Sequence, residues 1–161
     1  MYYLIIAALT ALDQAVKYTI RANMSLGESI PVIEDILHIT YVSNSGGAFS
    51  LLRGQTVLLT IFPAVLIAGI IVYIYLKRKS GPIAVLLGLS LICSGGIGNL
   101  ADRVRFSAVT DFIDFRVFPV FNVADICVCC GCGLIVIYML FENRRGKLNK
   151  EAQDDGQRAG V

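Results

Sequence analysis

The chain predicts an all-α polytopic membrane protein: four transmembrane helices, a small extracytoplasmic β-sheet and a surface half-helix. Three observations carry that expectation. Of its 161 residues 56% are hydrophobic and mean hydropathy is +0.70, whereas soluble domains run at about 45–50% apolar. The excess lies in long runs, with Thr56 to Leu76 and Phe118 to Phe141 the clearest. Compact basic clusters, Lys77-Arg-Lys79 and Arg144-Arg-Gly-Lys147, close the second and fourth runs.

The first helix is expected from Tyr2 to Arg21. Its continuously apolar part ends at Asp13 and is too short to span a bilayer alone. Asp13 and Lys17, at i and i+4, share a face and neutralise each other if that face points into the bundle. Read from the residues, they form either a structural ion pair near the outer membrane boundary, the favoured reading, or a pair with a chemical role. Met1-Tyr-Tyr-Leu lacks a basic n-region, so this helix is read as retained rather than as a cleaved secretory signal.

Residues 21–55 are too polar and irregular to span and form an extracytoplasmic insertion. Ile36 to Val42 is β-branched and aromatic and reads as a strand. Asn44-Ser-Gly-Gly-Ala-Phe-Ser50 reads as a turn into the half-helix. Asn44 is either a turn residue or a hydrogen-bond donor to an extended peptide. The second span, Thr56 to Leu76, contains Pro63, which membrane helices tolerate. The third starts at Pro82-Ile83 and reaches about Arg103. Within it Ser94 and Gly98, with Gly95 and Gly96, let a neighbouring helix approach. Asn99, Asp102 and Arg103 follow at i, i+3 and i+4, on one face. Residues 1–145 thus read as one domain, and 146–161 as a disordered polar cytoplasmic tail.

The two basic clusters lie on one side of a four-span chain, so the positive-inside rule makes that side, and both termini, cytoplasmic. Asp13, Asp102, Asp111 and Asp125 then gather at the outer boundary. An ionised carboxylate near the bilayer interior costs about 2.5–3.5 kcal/mol on the lenient insertion scale, so such residues mark function. Between Asp111 and Asp125, Arg116 and Pro119 break the helix and let the chain turn back. Two close carboxyls cannot both ionise cheaply: one keeps a proton while the other stays basic. That is the chemistry of an aspartic protease.

Other chemistries fit less well. A net charge of +2 and the absence of a basic stripe give no nucleic-acid partner. Five cysteines, Cys93, Cys127, Cys129, Cys130 and Cys132, lie inside apolar runs, so no disulfide framework is indicated. On a helix the last four diverge and cannot share one tetrahedral metal. His38, the single histidine, reads as a strand residue, and neither HExxH nor GxSxG occurs. Asp114 is expected to cap the loop or pair with Arg116. A proton or ion carrier also uses intramembrane acids, but carriers place them at the midplane and show repeated halves.

Five segments in order, Asp13-Gln-x-x-Lys17, Asn44-x-Gly-x-Ala-Phe-Ser50, Gly95-Gly-x-Gly-Asn99-x-x-Asp102-Arg103, Asp111-Phe-Ile-Asp-Phe115 and Phe121-Asn-x-Ala-Asp125, resemble the bacterial lipoprotein signal peptidases, or signal peptidase II. The resemblance implies a multi-pass protein of the bacterial inner membrane. It implies a monomer without cofactor or metal that cuts diacylglyceryl-modified prolipoproteins just before the lipidated cysteine. Asp111 and Asp125 match the family's catalytic pair. Asn44, Asn99, Asp102, Arg103 and Asn122 match positions that shape the site or contact substrate, and Asp13 and Lys17 match structural ones. Ile126 stands where the family often has serine, and the cysteine run after it is atypical.

Overall fold

A computed structural model describes residues 1–45 and 56–159. Its elements run α1 (Tyr2–Asn23), β1 (Ser29–Ile33), β2 (Leu37–Asn44), α2 (Thr56–Lys77), α3 (Ile83–Phe106), β3 (Val109–Asp114) and α4 (Val123–Ala159). α1, α2 and α3 start and stop close to where hydropathy places them, whereas α4 begins and ends later than the apolar run Phe118 to Phe141. The half-helix expected after Asn44 falls on residues 46–55, outside the described residues.

Helix α3 is the hub and packs against α1, α2 and α4. Its glycines make this possible. A Cβ on Gly95 would collide with the main-chain oxygen of Ala124 in α4, and one on Gly98 with the Asp13 carboxylate in α1. Close approach at these two points brings polar side chains of three helices together. The apolar cluster of Ile6, Ile67, Ile70, Ile74, Leu86 and Cys93 packs beside them.

The burial pattern is inverted relative to a water-soluble bundle. Asp13, Lys17, Asp102 and Asn122 are buried, while Ile61, Phe62, Val65, Leu66, Val72 and Leu76 of α2 lie open. Lipid is the solvent in which such a surface is favourable. Among the described residues three helical stretches are long and apolar enough to cross a membrane: Leu59–Lys77, Ile83–Phe106 and Val123–Arg144. α1 is not among them. Its 22 residues would reach about 33 Å at 1.5 Å per residue, but Asp13, Gln14, Lys17 and Arg21 lower its hydropathy.

The sheet is antiparallel in the order β1-β2-β3. Its third strand, which the sequence reading did not single out, lies between α3 and α4. Val109-Thr-Asp-Phe-Ile-Asp114 holds four β-branched or aromatic residues and two acids, and β2 supplies the partner edge, pairing Val42 with Asp111 and Asn44 with Val109. Ser107 lets the chain leave α3 through a left-handed turn (φ 58°). At the other end α4 continues in helical conformation to Ala159, through the polar stretch expected to be a disordered tail. Half of that stretch is Lys, Gln, Ala, Glu or Arg, which favour helix, and it contains no proline.

Candidate active site

Asp111 and Asp125 are brought together by a short detour of the main chain. After β3, Arg116 takes a left-handed conformation (φ 65°). The chain then returns so that Phe121 pairs with Ile113 as an isolated antiparallel bridge. Ile113 N–H donates to Phe121 O (2.8 Å), and Phe121 N–H donates back to Ile113 O (3.1 Å). The fold-back sets Asn122, first residue before α4, beside Asp111. The apolar run from Phe118 therefore does not begin as helix. α4 starts at Val123, and Asp125 sits in its first turn.

Asn122 and Asp125 cap that helix reciprocally. The Asp125 N–H donates to Asn122 Oδ1, and the Asn122 N–H donates to Asp125 Oδ2, each at 3.1 Å. This is the capping-box arrangement, with Asn and Asp in place of the usual Ser/Thr and Glu. The remaining groups reach sideways. Asn122 Nδ2 donates to Asp111 Oδ1 (2.6 Å) and to Asn99 Oδ1 (3.1 Å). Asn99 Nδ2 donates to Asp125 Oδ1 (2.9 Å), and Asn44 Nδ2 donates to Asp111 Oδ2 (2.9 Å). Each of the four carboxylate oxygens accepts one fixed N–H.

Both aspartates line a cavity of about 280 Å³ with Asn44, Asn99 and Arg103; Phe118, Pro119, Val120 and Phe121 form its apolar wall. A larger cleft of about 430 Å³, bordered by Ile137, Leu140, Phe141, Asn143 and Arg144, lies far along α4 and gathers no carboxylate pair. Asp111 is 3% exposed. Burial pushes its carboxyl up to about 6; the amide donors of Asn44 and Asn122 oppose this, the nearby Asp125 charge adds to it, and the Lys17 charge opposes it. The cavity thus joins an aspartate that readily keeps a proton to a second, more open one, beside a guanidinium.

A buried ionic cluster supports this wall from behind. Lys17 Nζ lies 3.0 Å from Asp13 and 3.7 Å from Asp102 and donates to Asn99 Oδ1 at 2.8 Å. Asp102 accepts from the Thr110 N–H (2.9 Å), Gln14 Nε2 (3.2 Å) and Arg21 (3.3 Å). It does not line the cavity: of the face shared by Asn99, Asp102 and Arg103, the middle residue points to α1 and β3 and clasps the strand to the bundle. Asp13 accepts the Ala124 N–H (3.0 Å) and so joins α1 to the start of α4. Asp114 accepts from Thr40 (2.8 Å) and the Arg116 N–H (2.8 Å), with the Arg116 guanidinium at 3.4 Å. Burial would raise its carboxyl, but these donors carry it below the usual carboxylate range.

Sequence reasoning missed Gln14 and Arg21. Arg21 continues the i, i+4 series of Asp13 and Lys17, and that spacing was the available signal. It also missed the capping role of Asn122-Val-Ala-Asp125, legible as a cap residue followed three positions later by an acid. Of the cysteines, Cys129 lines the cavity and Cys132 does not; both are exposed.

The pattern Asp111…Asp125 with its three asparagines can be set beside known proteins. Residues 5–141 match the family described as signal peptidase (SPase) II. The chain belongs to the signal peptidase II family. It is 40% identical over 146 residues to the lipoprotein signal peptidase of Halothermothrix orenii, covering 91% of this chain and 99% of that protein. It is 43% identical over 145 residues to that of Geobacillus thermodenitrificans, covering 88% and 90%. A solved bacterial membrane enzyme superposes with a TM-score of 0.82 at 33% identity, covering 88% of each chain. A second does so with a TM-score of 0.77 at 34% identity, covering 86% of this chain and 92% of the other.

Proposed function

We propose that this signal peptidase II family member removes the signal peptide of diacylglyceryl-modified prolipoproteins, cleaving just before the lipidated cysteine with Asp111 and Asp125 as its catalytic pair. The observation that carries this reading is the pairing itself: two carboxylates from different elements, joined through Asn122 and Asn99, facing one cavity. Asp111, which burial drives toward its protonated form, donates its proton to the scissile carbonyl oxygen. Asp125 removes a proton from water, whose oxygen attacks the carbonyl carbon. The tetrahedral diol then collapses as a proton passes to the departing amide nitrogen, and no covalent intermediate forms. The pair titrates as a unit.

Arg103 and Asn44 contact the extended peptide, and Phe118 to Phe121 border its apolar side chains. The protein acts as a monomer in the bacterial inner membrane. α1 is its fourth span, its charged face turned to α3 and its exposed Leu4, Leu12 and Tyr18 toward lipid. Both termini are cytoplasmic, because Lys77-Arg-Lys79 and Arg144 follow the apolar parts of α2 and α4. The site then opens at the outer face, where acyl chains of the substrate remain in the bilayer. An ion carrier would need its acids at the midplane.

The test is cleavage by purified protein in detergent of a diacylglyceryl-modified prolipoprotein and of its unlipidated form. Cleavage of the lipidated form alone, abolished in Asp111→Asn at an unchanged melting temperature, is the expected result. Equal cleavage of both forms, or an active Asp111→Asn, overturns the reading.

A further inference from the structure

Lys17 makes its shortest polar contact with a neutral amide rather than with an acid. Its Nζ lies 2.8 Å from Asn99 Oδ1, against 3.0 Å to Asp13 and 3.7 Å to Asp102. A carboxamide has nearly the same shape in its two flipped orientations, and its bonds alone decide between them. An ammonium only donates, so Lys17 must face the Asn99 oxygen. Asn99 Nδ2 is then turned to Asp125 Oδ1. At the other end of the chain of amides the Asp125 main-chain N–H, also only a donor, holds Asn122 Oδ1. Asn122 Nδ2 is left to serve Asn99 Oδ1 and Asp111 Oδ1. Two groups of fixed polarity thus orient both asparagines, and flipping Asn99 would set an NH2 against the ammonium and an oxygen against Asp125.

We propose that Lys17 is a positioning residue of the catalytic pair: by fixing the Asn99 carboxamide as a donor to Asp125, it keeps Asp125 the ionised base and leaves the shared proton on Asp111. This rests on the protease reading above and deepens it. Without the ammonium, Asn122 Nδ2 at 3.1 Å is the donor that remains on the Asn99 oxygen, and an Asn99 that turns over offers Asp125 an oxygen, which favours a protonated Asp125 and misplaces the proton. Among the described residues, the charged groups around the pair are Asp13 and Lys17 from α1, with Arg21 behind them on Asp102; Asp102 and Arg103 from α3; Asp111 from β3; and Asp125 from α4. β2 presents the neutral Asn44, and α2 carries no acid or cation before Lys77. Among the described residues Lys17 is the cation that touches the amide chain.

The experiment compares the full-length wild type, Lys17→Met and Asp13→Asn in detergent. Protonated carboxyls are followed by infrared absorption across pH, with Asp111→Asn and Asp125→Asn backgrounds assigning the signals, and cleavage kinetics are measured alongside. In the wild type the carboxyl signal should disappear with Asp111→Asn. In Lys17→Met it should persist to higher pH and disappear in part with Asp125→Asn, with kcat at least tenfold lower and KM within about threefold. Asp13→Asn keeps the Lys17–Asn99 contact, so its melting point falls while the proton stays on Asp111. Loss of the Lys17 charge by itself raises Asp111, so a signal in folded Lys17→Met that still disappears wholly with Asp111→Asn overturns the proposal, as does the same redistribution in Asp13→Asn. If Lys17→Met does not fold, Asp13→Asn with Lys17→Met, which removes both buried charges, takes its place; failure of that variant to fold makes Lys17 structural and overturns the proposal too. Wild-type protein that does not cleave sinks the protease reading, yet its carboxyl signals still test Lys17.

Discussion

Asp125 is a helix cap and the proposed base, and Asp125→Asn separates the two roles. As the third residue of α4 it caps the helix through Oδ2; in the proposed reaction its carboxylate activates water. An asparagine retains one side-chain oxygen, so of the Asn122 N–H and Asn99 Nδ2 donors one keeps its acceptor and the other loses it. Cap residues are worth about 0.5–2 kcal/mol, and for a chain of this size about 1 kcal/mol moves the melting point by roughly 2–4 °C. The chemical loss is larger, since general acid–base catalysis by a positioned side chain contributes about 10²–10⁴-fold. Removal of the base should therefore lower kcat by at least 10² while the protein melts within a few degrees of wild type. The assay is single-turnover cleavage of a lipidated prolipoprotein beside a thermal melt in the same detergent. A variant within tenfold of wild type would refute the catalytic role. A fall in melting temperature above about 10 °C would assign the lost activity to the fold.

Further outcomes follow from the geometry. With Asp111 raised to about 6, kcat/KM should fall as pH rises through that value, because the proton donor is lost. The Asn44 amide favours the ionised form, so Asn44→Ala should move this limb to higher pH; a limb that stays or moves lower refutes the assignment. The linked stability has the same sign: since the folded value exceeds the ordinary 3.8, the Asp111 contribution is full below about 3.8 and lost as pH rises through about 6. Gly98→Ala places a methyl against the Asp13 carboxylate. Overpacking of this kind costs about 1–3 kcal/mol, so chemical denaturation in mixed micelles should detect it, whereas an unchanged midpoint would mean that α1 and α3 separate freely.

Legibility followed the range of the interactions. Helix extents depend on local hydropathy, and α2 and α3 fall close to their expected bounds. The acids were legible because a charge in an apolar run is anomalous wherever it lies. β3 was not, since a six-residue strand depends on β2, more than sixty residues away, and Val109-Thr-Asp-Phe-Ile-Asp114 shows no strict alternation of apolar and polar residues. Asp102 shows the limit of helical periodicity. Spacing put it on one face with Asn99 and Arg103, yet a face at least 60° wide borders more than one neighbour, and packing sent Asp102 to Arg21 and Thr110. The tail illustrates the converse: low hydropathy excludes a buried helix but does not exclude helical backbone, which Glu, Lys and Ala favour even without a packed face.

One physical demand unites the buried cluster and the catalytic pair. A protease in lipid must hold acids in a low-dielectric surround without letting them take up protons indiscriminately. Here Asp13 and Asp102 are matched by Lys17 and Arg21, so the cluster behind the site is close to neutral. The pair in front has no cation in hydrogen-bond contact with it among the described residues. It is held by the amides of Asn44, Asn99 and Asn122, which orient carboxylates without neutralising them. Replacing an amide by a bonded cation would stabilise both carboxylates in ionised form and remove the acid that the reaction needs. Asparagine, uncharged and able to donate and accept at once, connects the charged cluster to the pair without shorting one to the other.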